Sequence, residues 1–451
     1  MALVPATPFR RTDLGNAERF VAQHGEDVRY LPDWGKWLLW TGSHWKIDDN
    51  LEVKRLAKET VRRLYDEAKT LSSDDKKDMV KHALKSEAEG KLRAMLELVK
   101  AEPGVAITTA ALDADPWLLS CENGTIDLRT GSLREHRRED LITRRVPAPY
   151  DLDTDCPRWL AFLDRVLAGN TELRDFLQRA IGYSLTGLTS ARVLFFMYGS
   201  GANGKSTFLE VLRALMAGYA QQADFTTFLE RKGDGPRNDI ARLFGARLVT
   251  SSEVGEGKRL NESLVKTLTG DETVTARFLH AEFFEFKPAF KLWLAANHKP
   301  VIRGTDNAIW DRIRLIPFTV AIPPEERDRG LREALLSELP GILAWAVGGA
   351  VLWHRHGLGT PALVHDATDG YRRDSDTLGA FLEDCCEINA LQEEPASALY
   401  AAYATWARDG GEYQITQTAF GRALEERGIV AIKRGGKKVR VGLKLLAGGA
   451  K

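Results

Sequence analysis

The chain is poor in the features that mark a secreted, disulfide-stapled or metal-scaffolded protein. Its 451 residues include only four cysteines, Cys121, Cys156, Cys385 and Cys386. None forms a C-x-x-C, and the adjacent pair suits neither a zinc site nor an ordinary disulfide, so a reducing compartment is expected. His354-Arg355-His356 has no cysteine or aspartate set at metal spacing beside it, which argues against zinc there. Long apolar runs are also missing. The N-terminus, MALVPATPFRR, has no apolar core of signal-peptide length. The longest uncharged stretch, Leu339–Trp353, contains Pro340 and Gly348-Gly349 and falls short of a membrane span. It reads as a buried helix, and the chain as a soluble, cytoplasmic protein with no membrane partner. Net charge is absent too. With 63 basic residues against 63 acidic ones, any site for a polyanion has to be a local patch.

What the chain does contain is Gly199-Ser200-Gly201-Ala202-Asn203-Gly204-Lys205-Ser206, a match to G-x-x-x-x-G-K-[ST]. Glycines let successive backbone N–H groups converge on phosphates, the lysine reaches the β- and γ-phosphates, and the serine hydroxyl ligates Mg²⁺. The flanks fit. Val193–Tyr198 is apolar and of strand length, while Phe208, Leu209, Leu212 and Leu215 recur at helical spacing. Strand, glycine loop and helix N-terminus together favour a bound anion. ATP and Mg²⁺ are the expected cofactors.

Around this loop, residues 1–13 read as disordered and 14–156 as an α-rich accessory domain. Trp34–Ile47 is expected to form two short aromatic strands about a Thr-Gly-Ser turn, either a local hairpin core or a base-stacking platform. Residues from about 51 to 101 suggest two helices with charged surfaces. Asp151, Asp153 and Asp155 lack the glycine and distal glutamate of a calcium loop and read as a solvated loop. Residues 157–371 form the expected ATPase domain with helical flanks, and 372–451 a last module.

Three downstream features bear on ATP chemistry. Ala246–Glu253 reads as a buried strand ending in a carboxylate that could hold Mg²⁺ or polarise water, although Glu253 could equally be a surface acid. Lys291–Asn297 is another apolar strand, ending in an amide able to bond both the γ-phosphate and the lytic water. Asn297 could also be a turn residue before Lys299-Pro300. Arg312 could neutralise transition-state charge at a neighbouring subunit, or could pair with Asp306 or Asp311.

With these segments in order, the chain resembles the superfamily 3 helicases of the phage and plasmid primase–helicase type, a group that includes the poxvirus primase–helicase. The matching text is Ile181–Gly187, Tyr198–Thr207, Gly245–Glu253, Lys266–Asp271, Ala295–Pro300 and Ile309–Ile313. The resemblance implies an α/β P-loop NTPase core, AAA+-like, that forms a homo-hexameric ring around one DNA strand. By that analogy Gly199, Gly201, Asn203, Gly204, Lys205, Ser206 and Thr207 bind the nucleotide, and Ser206 and Glu253 the metal. Glu253 is then the Walker B acid, Asn297 sensor 1 and Arg312 the arginine finger. Two departures stand out. Asp311-Arg312 replaces the paired arginines common in the group, and one acid, Glu253, stands where two adjacent acids are frequent, so its service to metal, water or both is open. The residues before the loop resemble the accessory region of these helicases rather than a polymerase domain, leaving a separate primase as a further partner.

Two segments are candidates for nucleic acid. Thr273–Lys287 reads as two strands with a turn near His280–Glu282, and in the helicases it resembles this hairpin enters the ring channel. Lys266, Arg277, His280 and Lys287 are expected at phosphates, and Phe283 at a base. Near the C-terminus a short helix capped by Thr416 exposes Gln417, Thr418 and Arg422. A hairpin with a Gly435-Gly436 turn follows, carrying Lys433, Arg434, Lys437, Lys438 and Arg440. Helix then basic hairpin is the outline of a winged helix able to bind duplex DNA. The expected function is a replicative DNA helicase of phage, plasmid or prophage origin in a bacterial host. The rivals are an origin-binding or loading factor that does not unwind, and a DNA-binding scaffold with a degenerate ATPase.

Overall fold

The computed structural model describes residues 9–231, 237–252, 258–278, 282–302, 307–410 and 414–446. The N-terminal part begins with α1 (Asp13–His24), β1 (Val28–Leu31), β2 (Lys36–Trp40) and β3 (Trp45–Ile47), followed by α2 (Glu52–Lys69), α3 (Ser73–Ser86) and α4 (Glu89–Val99). Residues 9–13, expected to be disordered, are held in place. Arg19 donates to the carbonyls of Phe9 and Arg10 (both 2.9 Å) and pairs with Glu67 at 2.9 Å, while Thr12 caps α1. Three helices occupy 52–99 where the sequence suggested two. The breaks fall at Thr70–Ser72, after which Asp74 and Asp75 favour a new N-terminus by complementing the helix dipole, and at Glu87–Ala88. The strands β2 and β3 pair as expected, with Trp45 fully buried beneath them.

A second antiparallel sheet follows, of β4 (Leu118–Cys121), β5 (Gly124–Asp127) and β6 (Ser132–Arg134). It shares one apolar core with α5 (Pro157–Val166), α6 (Thr171–Leu185) and the central sheet. All four cysteines are buried free thiols.

The central region contains β7 (Leu194–Tyr198), α7 (Lys205–Met216), β8 (Ala220–Gln222), α8 (Asn238–Ala241), β9 (Leu248–Ser252) and α9 (Glu262–Leu268). The hairpin β10 (Val274–Arg277) and β11 (Phe283–Phe286) leads to β12 (Lys291–Ala296), α10 (Asn307–Trp310) and β13 (Ile313–Pro317). Five strands form a parallel sheet in the order β13-β7-β12-β9-β8. Both faces are covered. Phe195 and Met197 enter one apolar cluster and Leu194 and Phe196 the other, which is why β7 reads as an unbroken apolar run.

Helices α11 (Leu331–Ser337), α12 (Leu339–His356) and α13 (Ala362–Ser375) complete this body. The contact of α12 with α6 requires Gly349 and Gly182: a Cβ on Gly349 would overlap the Gln178 carbonyl, and one on Gly182 the Ala350 backbone nitrogen. Among the described residues no single helix is long and apolar enough to cross a membrane.

The last part has α14 (Thr377–Cys385), β14 (Cys386–Pro395), α15 (Ala396–Asp409), α16 (Gln417–Glu426), β15 (Ala431–Arg434) and β16 (Lys437–Leu445). Its antiparallel sheet runs β14-β16-β15. Gly435 and Gly436 both have positive φ (56° and 80°), as the tight hairpin turn between β15 and β16 requires.

Candidate nucleotide site

The strand β7 pairs with β12 so that Tyr198 lies beside Ala296, and the loops leaving both strands emerge together. The chain runs from β7 towards β8 on one side of the sheet and ends with β13 on the other. The crevice at the carboxyl end of β7 is therefore a topological switch point, where open parallel sheets bind ligands.

The loop 199–204 occupies that crevice. Gly199 is packed so tightly that a Cβ would overlap the Asn203 amide and the Phe318 carbonyl. Gly201 and Gly204 take φ values of +99° and +84°, open to glycine at no steric cost. Asn203, expected to contact nucleotide, is instead only 3% exposed. Its amide donates to the Phe318 carbonyl at 3.0 Å and braces the loop from behind.

Lys205 opens α7 and turns inward. Its ammonium donates to the Gly199 carbonyl (2.7 Å), Asn203 Oδ1 (3.0 Å) and Asn297 Oδ1 (3.2 Å). All three acceptors are neutral. Among the described residues no carboxylate forms an ion pair with it, and burial pulls its pKa down to about 8. A buried cation in a loop of convergent glycines fits a phosphate, which would supply the missing counter-charge. Ser206 is exposed in the first turn of α7 and Thr207 half-buried, so the Ser206 hydroxyl is accessible to a cation.

Other predicted residues fall elsewhere. Glu253 and His280 lie outside the described residues. Arg312 directly precedes β13, the strand beside β7, and so lies at the amino end of the sheet, whereas Lys205 follows the carboxyl end of β7. Its guanidinium donates to Thr269 Oγ1 (3.1 Å) and the Ala308 carbonyl (2.6 Å). The structure therefore does not bring Arg312 to the loop of its own chain. Lys266 is half-buried on α9, and Lys287 is exposed after β11. Arg277 lies over the Phe283 ring at 4.8 Å, and that ring is 59% exposed. Lys299 was assigned no role from sequence, although it stands in the Ala295–Pro300 segment quoted above. It reaches Asp374 at 3.0 Å and lies over the Tyr198 ring at 5.1 Å, immediately beside the loop.

In the C-terminal part Gln417, Thr418 and Arg422 are exposed on α16, as are Lys433, Arg434, Lys437 and Lys438 on the hairpin. Arg434 also pairs with Glu393 at 2.7 Å. Arg440, expected at DNA, is only 2% exposed. It donates to Glu425 (2.9 Å) and to the carbonyls of Ile429 (3.1 Å) and Gly421 (2.9 Å), locking β16 to α16.

A family model described as D5 N terminal like matches residues 17–168, and one described as a family of unknown function, DUF5906, matches 197–312. Fowlpox virus primase D5 is 24% identical over 65% of this chain and 36% of its own length. The mimivirus protein L207/L206, of Acanthamoeba polyphaga mimivirus and given a helicase name, is 27% identical over 60% of this chain and 31% of its own. The chain thus spans about a third of the length of these relatives. In fold it is similar to the apo structure of the NrS-1 C-terminal region, with a TM-score of 0.52 at 12% identity, covering 94% of this chain and 98% of that one. These matches agree with the resemblance to D5-type primase–helicases.

Proposed function

We propose that this chain is an ATP-dependent DNA helicase of a phage, plasmid or prophage replication system. In this reading a P-loop NTPase core of AAA+ type acts as a homo-hexameric ring on single-stranded DNA in the cytoplasm of a bacterial host. The observation that carries it is the Lys205 ammonium, buried among neutral acceptors at the switch point of a parallel sheet and touching Asn297. ATP with Mg²⁺ supplies the phosphoanhydride whose cleavage drives movement. Lys205 holds the terminal phosphates, Ser206 the metal, and Asn297 orients the attacking water, with Glu253 as the acid. Arg312, at the amino end of the sheet and away from the loop of its own chain, serves the nucleotide of a neighbouring subunit. Through Arg277, Phe283 and Lys287 the β10–β11 hairpin grips the strand.

The C-terminal part is read as a winged helix on duplex DNA. Supporting this, Lys433 stands directly opposite Lys438 and Arg434 opposite Lys437 across β15 and β16. Like charges so placed weaken a hairpin, a cost that a bound polyanion removes.

The test is ATP hydrolysis by the purified protein, with and without single-stranded DNA, at two salt concentrations. Hydrolysis stimulated by DNA, with the stimulation fading as salt rises, is expected of a motor gripping phosphates. Hydrolysis indifferent to DNA, or none, would overturn the reading.

A further inference from the structure

A cavity of about 780 Å³ lies at the edge of the central sheet remote from the glycine loop. Trp34, Trp45 and Arg144 of the N-terminal part line it, together with Tyr219, Phe244 and Arg247 from the elements around β8 and β9. Arg247 immediately precedes β9, so the cavity is at the amino ends of the strands, roughly 17 Å from the loop by the rise of a five-residue strand.

Its walls combine two properties. The first is aromatic surface. Trp34 meets Phe244 edge-on at 5.9 Å, and the Arg247 guanidinium lies over the Tyr219 ring at 4.8 Å. The second is basic side chains that meet carbonyls rather than carboxylates. Arg247 is only 4% exposed, and its guanidinium donates to the carbonyls of Leu185 (2.9 Å) and Asp115 (3.5 Å). Lys291, 1% exposed just behind the wall, donates to the carbonyls of Thr186, Leu188 (3.1 Å) and Ala289 (3.2 Å). Arg144 gives Nη2 to the Phe244 carbonyl at 3.1 Å, while its Nη1 is buried with no acceptor.

Among the described residues no carboxylate forms an ion pair with any of the three. Asp113, in the same wall, accepts from the Thr143 backbone N–H at 2.9 Å and from its hydroxyl. Asp271 accepts from Thr189 at 3.0 Å and pairs with Arg192 at 3.4 Å. Burying like charges together is strongly unfavourable unless a counter-anion is supplied.

We propose that this cavity is a second nucleotide site, taking a ligand with an aromatic base and a phosphate, either a free nucleotide or the phosphorylated end of a strand. The base stacks in the Trp34–Phe244 wall and the phosphate meets the cationic side at Arg144. Occupancy ties the N-terminal part to the β10–β11 hairpin. Lys287 to Ala289, directly after β11, line the same cavity, and Phe244 packs on Phe284 and Phe286 at 5.7 and 5.6 Å. The proposal is independent of the reading given to Lys205.

Equilibrium dialysis of the full chain with labelled ATP, AMP and a 5′-phosphorylated tetranucleotide tests it. The unsubstituted chain should bind two ATP molecules and Lys205→Ala one. Adding Trp34→Ala or Arg144→Gln should weaken the remaining site at least tenfold. Trp34 is 41% exposed, so its loss leaves the fold intact, to be confirmed by circular dichroism. Adenosine and inorganic phosphate should each compete poorly. Preference for AMP or for the tetranucleotide decides the source of the ligand. No binding by Lys205→Ala, or binding indifferent to both wall substitutions, would overturn the proposal. If instead the glycine-loop reading fails, both the unsubstituted chain and Lys205→Ala bind one molecule, and Trp34→Ala weakens it.

Discussion

The Lys205 ammonium lies 3.2 Å from Asn297 Oδ1, although 92 residues separate the two in sequence. Adjacent parallel strands end side by side, and each delivers one polar group to the same crevice. The lysine is buried and touches only neutral acceptors, so it is placed to bind an anion.

Replacing that lysine should separate catalysis from folding. Lys205→Met is expected to lower ATP hydrolysis by about 10²-fold or more, as loss of a charge-stabilising group in a dry site does. Thermal unfolding should shift little, because a buried unpaired cation contributes weakly to stability. Steady-state turnover and calorimetry on the same sample check both parts.

Nucleotide affinity should depend on pH through this side chain. In the free protein the amine titrates at about 8, and a bound phosphate anion raises that value. The protonated form is the binding form, so affinity should be constant well below pH 8 and fall as pH rises above it. At pH 8 binding should take up a fraction of a proton. Titration calorimetry in buffers of differing ionisation enthalpy measures the uptake directly.

Arg312 is held by Thr269 and the Ala308 carbonyl at the amino end of its own sheet, away from the glycine loop. Arg312→Ala should leave ATP binding unchanged and reduce hydrolysis by about 10³-fold. Mixing it with Lys205→Ala chains should restore part of the activity, because one interface type in the mixed ring holds both intact residues. No recovery on mixing would count against a role across subunits.

The C-terminal hairpin offers a contrast between cations of the same sequence type. Removing the facing pair with Lys433→Ala and Lys438→Ala should weaken duplex DNA binding and reduce its log–log salt slope by about 2. Stability should hold or rise slightly. Arg440→Ala should instead destabilise the module by about 1–3 kcal/mol, since it leaves the Ile429 and Gly421 carbonyls without their donor and Glu425 without its partner. Salt-dependent fluorescence anisotropy and urea unfolding separate the two effects.

A substitution at the α6–α12 contact should test the fold itself. Gly182→Ala places a methyl group against the Ala350 backbone and should cost about 1–3 kcal/mol or more, because backbone cannot retreat as a flexible side chain would. Urea unfolding of the variant measures it.

What the sequence determined by itself is local or periodic. The glycine loop between an apolar strand and a helix, the strands ending at Ser252 and Ala296, the Trp40–Trp45 hairpin and the Gly435-Gly436 turn all follow from residue spacing and backbone preference over a few positions. What only the tertiary structure decided depends on contacts between distant segments. Arg440 and Lys433 are alike in a sequence and share one face of the hairpin, but α16 covers that face at Arg440 and leaves Lys433, nearer the turn, in solvent. Asn203 became a brace because Phe318 returns beside it. The cationic cavity was wholly illegible, for Trp34, Arg144 and the Phe244–Arg247 stretch come from three distant segments. No local pattern marks a charge whose counter-ion is missing until the fold shows what surrounds it.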